Sequence, residues 1–245
     1  MNRIELIQEV FKNTNFENYL EIGCHKGLSF LPVKAKYKFG VDPSFKISTT
    51  QKLKWILKVP SNINNKYFEE TSDDFFLKRE EELKKIKQLD VVLVDGLHTY
   101  RASLQDVLNS LKYLNTKGMI IMHDCYPPFK AAALPTDNYP SLEEQKGVQG
   151  WTGQWCGDVW KTIVYLRKSM PQLVDACVID TDYGLGYVRP KGKIDGNKLI
   201  IDEKLYAEID QLTYDDLARD PQLMINIKSA DYTETIIKDM GKLNK

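Results

Sequence analysis

The stretch "DVVLVDGLHTY" at residues 90–100 decides the fold of this protein. A run of Val and Leu residues ends at Asp95, and His98 follows three residues later. A short, continuously apolar segment of this kind is typical of a strand buried on both faces in a parallel sheet. Side chains at the exits of such strands line the edge at which α/β proteins bind ligands. The stretch therefore predicts a carboxylate and an imidazole at one ligand-binding edge.

Apolar strands and amphipathic helices alternate along the rest of the chain. The predicted strands, each short and rich in Val, Ile and Leu, are residues 18–23, 38–42, 90–96 and 118–124, with a weaker candidate at 66–70. The predicted helices are residues 3–12, 72–88 and 99–114. Strands that alternate with helices indicate an α/β protein with a mostly parallel sheet and helices on both faces.

The later part of the chain predicts a different arrangement. Residues 176–182 and 185–190, joined at Tyr183-Gly184, have the spacing of a terminal antiparallel hairpin. Residues 125–157 are irregular and too long for a plain connection, so we interpret them as a lid or acceptor-binding segment. We predict one Rossmann-like domain at residues 1–200. Residues 201–245 are predicted to form a helical extension of two or three short polar helices packed on that domain.

Composition excludes several classes of protein. The 34 Lys and Arg residues balance the 34 Asp and Glu residues, so no net field draws the chain to nucleic acid or to an anionic membrane. No apolar run reaches the roughly 18–20 residues of a membrane helix, and the N-terminal segment does not have the pattern of a signal peptide. The four cysteines are too widely spaced for a CxxC metal site. We therefore expect a cytoplasmic protein without nucleic-acid or membrane partners.

Acidic residues recur at or near the ends of the predicted strands. They are Glu21, Asp42, Asp95 and Asp124, and His123 stands beside the last of them. A single Asp in such a place often caps the following helix, so each acid alone has that simpler interpretation. The carboxyl ends of parallel strands meet at one edge of the sheet, however, and the whole set predicts a crevice for a cofactor and a substrate.

The turn after the first strand, "YLEIGCHKGLSF" at residues 19–30, contains Gly23 and Gly27 ahead of a predicted helix. Glycines there let the backbone approach a ligand at a helix N-terminus. Asp42 follows Gly23 by 19 residues, about the spacing at which an acid accepts hydrogen bonds from ribose hydroxyls. The GxGxxG pattern of dinucleotide-binding proteins is missing. This favours a ligand that contains adenosine but no pyrophosphate.

Together these segments resemble class I S-adenosylmethionine-dependent methyltransferases. The resemblance is closest to a small bacterial branch, often found in surface-polysaccharide gene clusters, that is similar to macrolide-sugar O-methyltransferases. It depends on "YLEIGCHKGLSF", "FGVDPS", "ETSDDFF", "VDGLHTY", "GMIIMHDCYPP" and "GDVWKTIVYLR", which run from about residue 18 to residue 190. The resemblance implies a class I methyltransferase fold with a seven-stranded sheet, and S-adenosylmethionine as the cofactor.

The resemblance also implies which residues surround the cofactor. It implies that the methionine part is surrounded by Glu21, Gly23 and Gly27. It also implies that the ribose contacts Asp42 and that the adenine lies near Ser72 and Asp73. His25 is predicted either to contact the cofactor or to shape the loop, because many methyltransferases have glycine-rich sequence at this place. Asp95 is predicted to border the cofactor as well as the acceptor.

The chemistry of methyl transfer to oxygen gives the strand-end residues their predicted roles. A sugar hydroxyl has a very high pKa and needs a base, a metal ion or both to become nucleophilic. Asp95 and Asp124, at neighbouring strand ends, could hold Mg²⁺ or another divalent ion, while His98 has the pKa of a general base. Related metal-dependent sugar methyltransferases have a pair of acids after the fifth strand. Here the pair is His123-Asp124, so His123 is a candidate ligand and the need for metal stays open.

Simpler interpretations stand beside these roles. A histidine at a strand end is often a structural, hydrogen-bonded residue. The tryptophans of residues 150–161 either contact a ligand or anchor a lid. For the whole chain, the alternatives to a sugar O-methyltransferase are an NAD(P)-dependent oxidoreductase or epimerase and a non-catalytic nucleotide-binding module. The expected acceptor is a sugar or a nucleotide-linked sugar, and the sequence leaves a homo-oligomer open.

Overall fold

The computed structural model describes residues 1–86 and 88–243. A seven-stranded sheet forms its centre. The strands are β1 (Asn18–Ile22), β2 (Tyr37–Val41), β3 (Lys66–Phe68), β4 (Leu89–Val94), β5 (Leu114–Met122), β6 (Val174–Ile179) and β7 (Leu185–Pro190). Their order across the sheet is β3-β2-β1-β4-β5-β7-β6.

The strand directions confirm the predicted fold. Strands β1 to β5 run parallel to one another, and β7 lies antiparallel between β5 and β6. The predicted hairpin is therefore the terminal antiparallel pair at one side of an otherwise parallel sheet. Its turn contains Asp182 and Tyr183 with φ of 49° and 61°, followed by Gly184 with φ of 86°.

Helices cover both faces of the sheet. They are α1 (Arg3–Asn13), α2 (Thr49–Lys58), α3 (Ser72–Lys78), α4 (Glu80–Lys85), α5 (Tyr100–Tyr113), α6 (Leu142–Gly147), α7 (Trp160–Ser169), α8 (Glu203–Asp210), α9 (Tyr214–Arg219), α10 (Pro221–Ile225) and α11 (Tyr232–Leu243). Alternation along β4 divides the core: Val91 and Leu93 face α1 and α11, while Val92 and Val94 face α5 and α7. All six β4 residues are buried, as the opening apolar stretch predicts.

The helix predicted directly after β1 does not form, so that prediction is wrong. Residues 24–36 fold into successive turns, and β2 then begins at Tyr37. Gly27 has a φ of +69° and Pro32 lies within the segment. A left-handed residue and a proline both interrupt helical hydrogen bonding, and the segment is too short to restart it.

Lys38 supplies the hydrogen bonds that a helix would have made in this segment. Its side chain is fully buried, and Nζ donates to the carbonyl oxygens of Phe30 at 2.7 Å and Val33 at 2.9 Å. Burial lowers the pKa of Lys38 to about 7. The turns that replace the first helix are thus held from inside the core by one ammonium group.

Two further predictions need correction. The helix predicted at 72–88 is two helices, α3 and α4, which meet at Arg79, and the first of them has Thr71 as its N-cap. The tail beyond residue 201 forms four helices instead of two or three. The last of them, α11, is not purely polar, because Ile236 and Met240 are buried against α1 and the sheet. These side chains lie one turn apart and form a narrow apolar stripe among polar neighbours.

Candidate active site

The exits of four neighbouring strands meet at one edge of the sheet. The Gly23 N–H donates to the last residue of β2 at 2.9 Å, and the Asp95 N–H donates to the last residue of β1 at 2.9 Å. The His123 N–H donates to the last residue of β4 at 3.0 Å. These bonds join the residues directly beyond β1, β4 and β5, so the side chains that follow are held in one crevice.

Asp95, His98, His123 and Asp124 form a buried acid–imidazole cluster in this crevice. The Nε2 atom of His98 lies 3.4 Å from Asp124 Oδ2 and 3.8 Å from Asp95 Oδ1. The Nδ1 atom of His123 lies 3.0 Å from Asp124 Oδ2 and 3.2 Å from Asp95 Oδ1. Side-chain exposure is 22% for His98 and 13% or less for the other three. The structure therefore brings together four of the residues that were predicted at strand ends, while Glu21 and Asp42 lie outside this cluster.

Two residues that sequence reasoning missed complete the surroundings of the cluster. Arg3, at the start of α1, places Nη1 2.9 Å from Asp182 Oδ2 and Nε 3.4 Å from Asp95 Oδ2. Asp182 follows β6, and its Oδ1 lies 3.5 Å from His123 Nε2. Because β6 is parallel to β5, an acid just after β6 belongs to the same edge, and that signal could have found Asp182. No sequence signal indicated Arg3.

The charges around Asp95 shift the pKa values of several groups in the crevice. Burial alone would raise the pKa of Asp95, but His123, His98 and the charge of Arg3 hold it well below its usual range. The pKa of Asp182 is lowered in the same way, against burial, by His123 and Arg3. Burial opposes protonation of both imidazoles, yet the carboxylates raise the pKa of His98 and of His123. Asp95 and Asp182 are therefore held ionised, and each of the two imidazoles binds a proton more readily than a free imidazole does.

The 125–157 segment fixes the orientation of His98. Nδ1 of His98 lies 2.9 Å from the carbonyl oxygen of Trp155, and the two rings stack with centroids 5.2 Å apart. A carbonyl can only accept, so Nδ1 carries the proton and Nε2 faces the carboxylates. Gly157 makes this contact possible: a Cβ at that position would lie 1.8 Å from the carbonyl oxygen of His98.

The loop after β1 is held by its glycines and by Asp42. A Cβ on Gly23, whose φ is +90°, would lie 2.0 Å from the carbonyl oxygen of Asp95. Asp42 is buried and accepts from the N–H of His25 and the N–H of Ser44, each at 2.7 Å. The backbone of His25 thus shapes the loop, while its imidazole is exposed.

Glu21 lies in the core beneath that loop and not on the surface of the crevice. It is fully buried, and its carboxylate accepts from Tyr19 Oη and Ser29 Oγ, each at 2.6 Å. Burial raises the pKa of Glu21 to about 7, and the two hydroxyl groups oppose that rise. The structure does not bring Glu21 together with the acid–imidazole cluster.

Ser72 and Asp73 lie at the start of α3, on the other side of the loop from the cluster. Ser72 is half-buried and close enough to Asp106 of α5 to oppose the burial that raises the pKa of that carboxyl, whereas Asp73 is exposed. Asp106 is buried, and its Oδ2 lies 3.7 Å from the position a Cβ would take on Gly96. Asp106 therefore connects the α3 N-terminus to the exit of β4, a role that sequence reasoning did not assign.

Three side chains of the cluster can serve as ligands of one divalent metal ion. Asp95, His98 and Asp124 each offer one donor atom, and these atoms lie within 4.8 Å of one another. Two carboxylate oxygens and an imidazole nitrogen suit Mg²⁺, Mn²⁺ or a similar ion. This set differs from the sequence-based one in containing His98 where the prediction had His123.

Comparison with known proteins agrees with the fold. Residues 20–125 match the model of a protein family described as a methyltransferase domain. A methyltransferase from Podospora anserina, PaMTH1, solved with SAH, is 18% identical over 78% of this chain and 80% of its own, with a TM-score of 0.51. Cofactor-bound Rv0187 from MTB is 10% identical over 78% of this chain and 82% of its own, with a TM-score of 0.53. No curated protein sequence matches the chain.

The solved structures show the class I methyltransferase fold, and the domain match shows the class of enzyme. The protein is an S-adenosylmethionine-dependent methyltransferase, as the sequence predicts. The oxidoreductase and the non-catalytic module are not favoured. The branch similar to macrolide-sugar enzymes stays a prediction. Within residues 1–86 and 88–243, no helix is long and apolar enough to cross a membrane.

Proposed function

We propose that the protein methylates a hydroxyl group of a sugar or a nucleotide-linked sugar, with His98 as the general base. The observation that carries this proposal is the orientation of His98. Its Nδ1 donates to the Trp155 carbonyl, and its Nε2 faces into the crevice beside Asp95 and Asp124. A base held in one tautomer at the exit of β4 suits a reaction that must remove a proton from an acceptor oxygen.

The cofactor is proposed to lie along the exits of β1 and β2. Gly23 leaves no room for a side chain against the β4 exit, as a loop that approaches a ligand closely requires. Each Asp42 oxygen accepts one backbone N–H and retains a lone pair for a ribose hydroxyl. Gly27 and the His25 backbone shape the methionine side, with Glu21 supporting them from the core.

The adenine is proposed to lie between the start of α3 and the exit of β4. Ser72 and Asp73 would border it on one side, and Gly96 on the other. The contact between Ser72 and Asp106 supports this position, because it holds the two segments on either side of one space. The cofactor sulfonium would then face Asp95, between the adenosine and the acid–imidazole cluster.

In the proposed reaction the acceptor oxygen attacks the methyl carbon while His98 Nε2 takes the hydroxyl proton. A carbon–oxygen bond forms, the carbon–sulfur bond breaks with both electrons going to sulfur, and neutral S-adenosylhomocysteine results. Asp95 and Asp124 stabilise the imidazolium that forms on His98. Asp95 and Asp124 would hold a divalent ion with His123 as the third ligand, because Nε2 of His98 is reserved for the proton. When bound, such an ion lowers the pKa of the acceptor hydroxyl.

Acceptor recognition is proposed for the lid segment 125–157 and the C-terminal extension at 201–245. A cavity of about 840 Å³ lies between them, with Leu134 on one side and Leu212 on the other. This volume is within the usual range for small-molecule sites. Asp158 lines the cavity and accepts from the Tyr100 N–H at 2.6 Å, which links the cavity wall to the β4 exit.

Two measurements test the proposed function. Calorimetry should detect micromolar binding of S-adenosylhomocysteine and no binding of NADH; the reverse result would favour an oxidoreductase. A panel of sugars and nucleotide-linked sugars should then release S-adenosylhomocysteine in a reaction that excess EDTA suppresses. Full turnover in EDTA would remove the metal from the proposal, and turnover only with non-sugar acceptors would overturn the acceptor class.

A further inference from the structure

A second cavity lies on the opposite side of the hairpin from the acid–imidazole cluster. It has a volume of about 470 Å³ and opens beside the first half of β6, the edge strand of the sheet. Ala176 of β6 pairs with Val188 of β7, which in turn pairs with Ile120 of β5. Ile120 precedes Asp124 by four residues, so the cavity lies away from the end of β5 at which the cluster forms. None of the cluster residues lines this cavity. It is therefore separate from the proposed methyl-transfer site.

The cavity is positively charged in a chain that carries no net charge. Its charged lining residues are Arg167, Arg189, Lys191, Lys228, Asp175 and Asp239. Four cations less two anions leave a charge of +2, whereas the whole chain sums to zero. Lys191 is already paired with Asp175 at 3.1 Å, and Asp239 with Lys242 at 3.4 Å. The excess charge therefore belongs to the two arginines and Lys228.

These three cations have no carboxylate partner within 4.0 Å in the part of the chain that the structure describes. Arg189 Nε is buried and lacks a hydrogen-bond acceptor among the same residues. Arg167 makes one contact, of 3.4 Å from Nη2 to a carbonyl oxygen. A buried donor without an acceptor is destabilising, so an anion that accepts from Arg189 would bind favourably.

The three cations line one cavity, and neutral groups beside them can also donate. Cys177 lies at the wall of the cavity, and Lys228 and Arg167 both oppose the burial that raises its pKa to about 11. Asn226 accepts through Oδ1 from Gln222 at 3.1 Å, which leaves its amide N–H groups for another partner. The donors thus approach one space from β6, β7, the end of α7 and the segment after α10.

We propose that this cavity binds a small organic molecule through a phosphate or diphosphate group. Arginine forks and a lysine ammonium are the groups that recognise phosphate oxygens, and two arginines can each donate twice. The volume of about 470 Å³ leaves room for an organic part beside the anion. The rings of Tyr187 and Tyr232 line the cavity and offer flat surfaces to that part.

Titration calorimetry of the full chain at low ionic strength tests the proposal, with pyrophosphate, uridine diphosphate and uridine as probes. Pyrophosphate and uridine diphosphate should bind, and uridine should not. Arg189→Gln should weaken binding of both anions about tenfold or more, because it removes charge-assisted hydrogen bonds. Lys34→Gln removes the same charge from an exposed residue that does not line the cavity, and should leave both affinities unchanged.

Three results would overturn the proposal: no heat with either anion at millimolar concentration, uridine binding as tightly as its diphosphate, or equal losses in Arg189→Gln and Lys34→Gln. Arg189→Lys, which retains the charge, should recover part of the affinity. If Arg189→Gln fails to fold, Lys228→Gln replaces it in the same comparison. S-adenosylhomocysteine affinity should be unchanged in every variant, so failure here is distinguishable from failure of the proposed methyl-transfer function.

Discussion

Buried carboxylates at the two ends of the crevice have opposite surroundings. At the end where we propose the cofactor to bind (the cofactor end), Glu21 and Asp106 lie among hydroxyl groups and apolar side chains, and burial raises the pKa of each to about 7. At the β4–β5 end, two imidazoles and Arg3 surround the acids, and they lower the pKa of Asp95 although its burial alone would raise it. Carboxylates of the first kind support structure and accept a proton readily. Those of the second kind stay ionised and can stabilise a cation or an imidazolium, so chemistry is expected only there.

The largest expected effect tests the β4–β5 end directly. His98→Ala should lower methyl transfer about 10²–10⁴-fold, because it removes the proposed base and leaves Gly23 and Asp42, proposed to hold the cofactor, unchanged. Turnover and the calorimetric affinity for S-adenosylhomocysteine should be measured together, and the affinity should change less than about threefold. His25→Ala is the matched control, since its imidazole is exposed. Comparable losses in both variants would contradict the assignment of the base.

The raised pKa of the buried Asp106 at the cofactor end should make the free energy of unfolding depend on pH. The pKa of Asp106 is about 7 in the folded chain against 3.8 for the free group. A raised folded pKa means that protonation favours the native state, so the Asp106 contribution is intact below about pH 4 and is lost as pH rises to about 7. Asp106→Asn should therefore be more stable than the wild type above pH 7, by up to about 4 kcal/mol.

Urea unfolding of the wild type and of Asp106→Asn at several pH values between 4 and 8 measures this difference. The gap between the two free energies of unfolding should be small at pH 4 and should widen up to about pH 7. A gap that stays constant with pH would show that Asp106 is ionised at all these values. The cofactor end would then resemble the β4–β5 end, and the comparison would fail.

A smaller effect is expected from the contact that orients His98. Gly157→Ala should lower turnover roughly 10²-fold, because the added methyl group meets the His98 carbonyl and displaces the imidazole from its working position. Gly153→Ala is a matched control: Gly153 also has a positive φ, of +87°, but nothing lies within 4 Å of its added Cβ. Equal turnover in the two variants would mean that backbone strain, and not the contact with His98, is what matters.

The smallest effect concerns the attachment of the tail to the start of α5. Arg101 pairs with Glu203 through two contacts of 2.8 and 2.9 Å, but both side chains are largely exposed. Arg101→Ala should lower the free energy of unfolding by less than about 1 kcal/mol and leave turnover within about twofold. Urea unfolding and steady-state kinetics measure both quantities. A larger loss of turnover would show that the tail contributes to the function of the β4–β5 end.

Most of the sheet could be predicted because its strands are short segments rich in apolar residues. β4, whose six residues are all buried, begins one residue before the predicted start. The two strands of the hairpin are antiparallel, as predicted. The missing first helix could not be predicted in the same way. It depends on Lys38, which reaches back from β2 to carbonyl oxygens in the preceding turns. Such a contact between separate segments leaves no periodic pattern in either one.

The candidate site divides along the same line. The sequence by itself determined that Asp95, His98, His123 and Asp124 meet at one edge, because each directly follows a strand of a parallel sheet and such strands end together. Only the tertiary structure decided that Arg3 and Asp182 join them, that Glu21 stays in the core, and that Trp155 selects the tautomer of His98. The physical reason is the distance along the chain over which each feature is decided. Strand exits are set by local apolar runs, whereas burial, pairing and orientation depend on residues from distant segments that packing brings into contact.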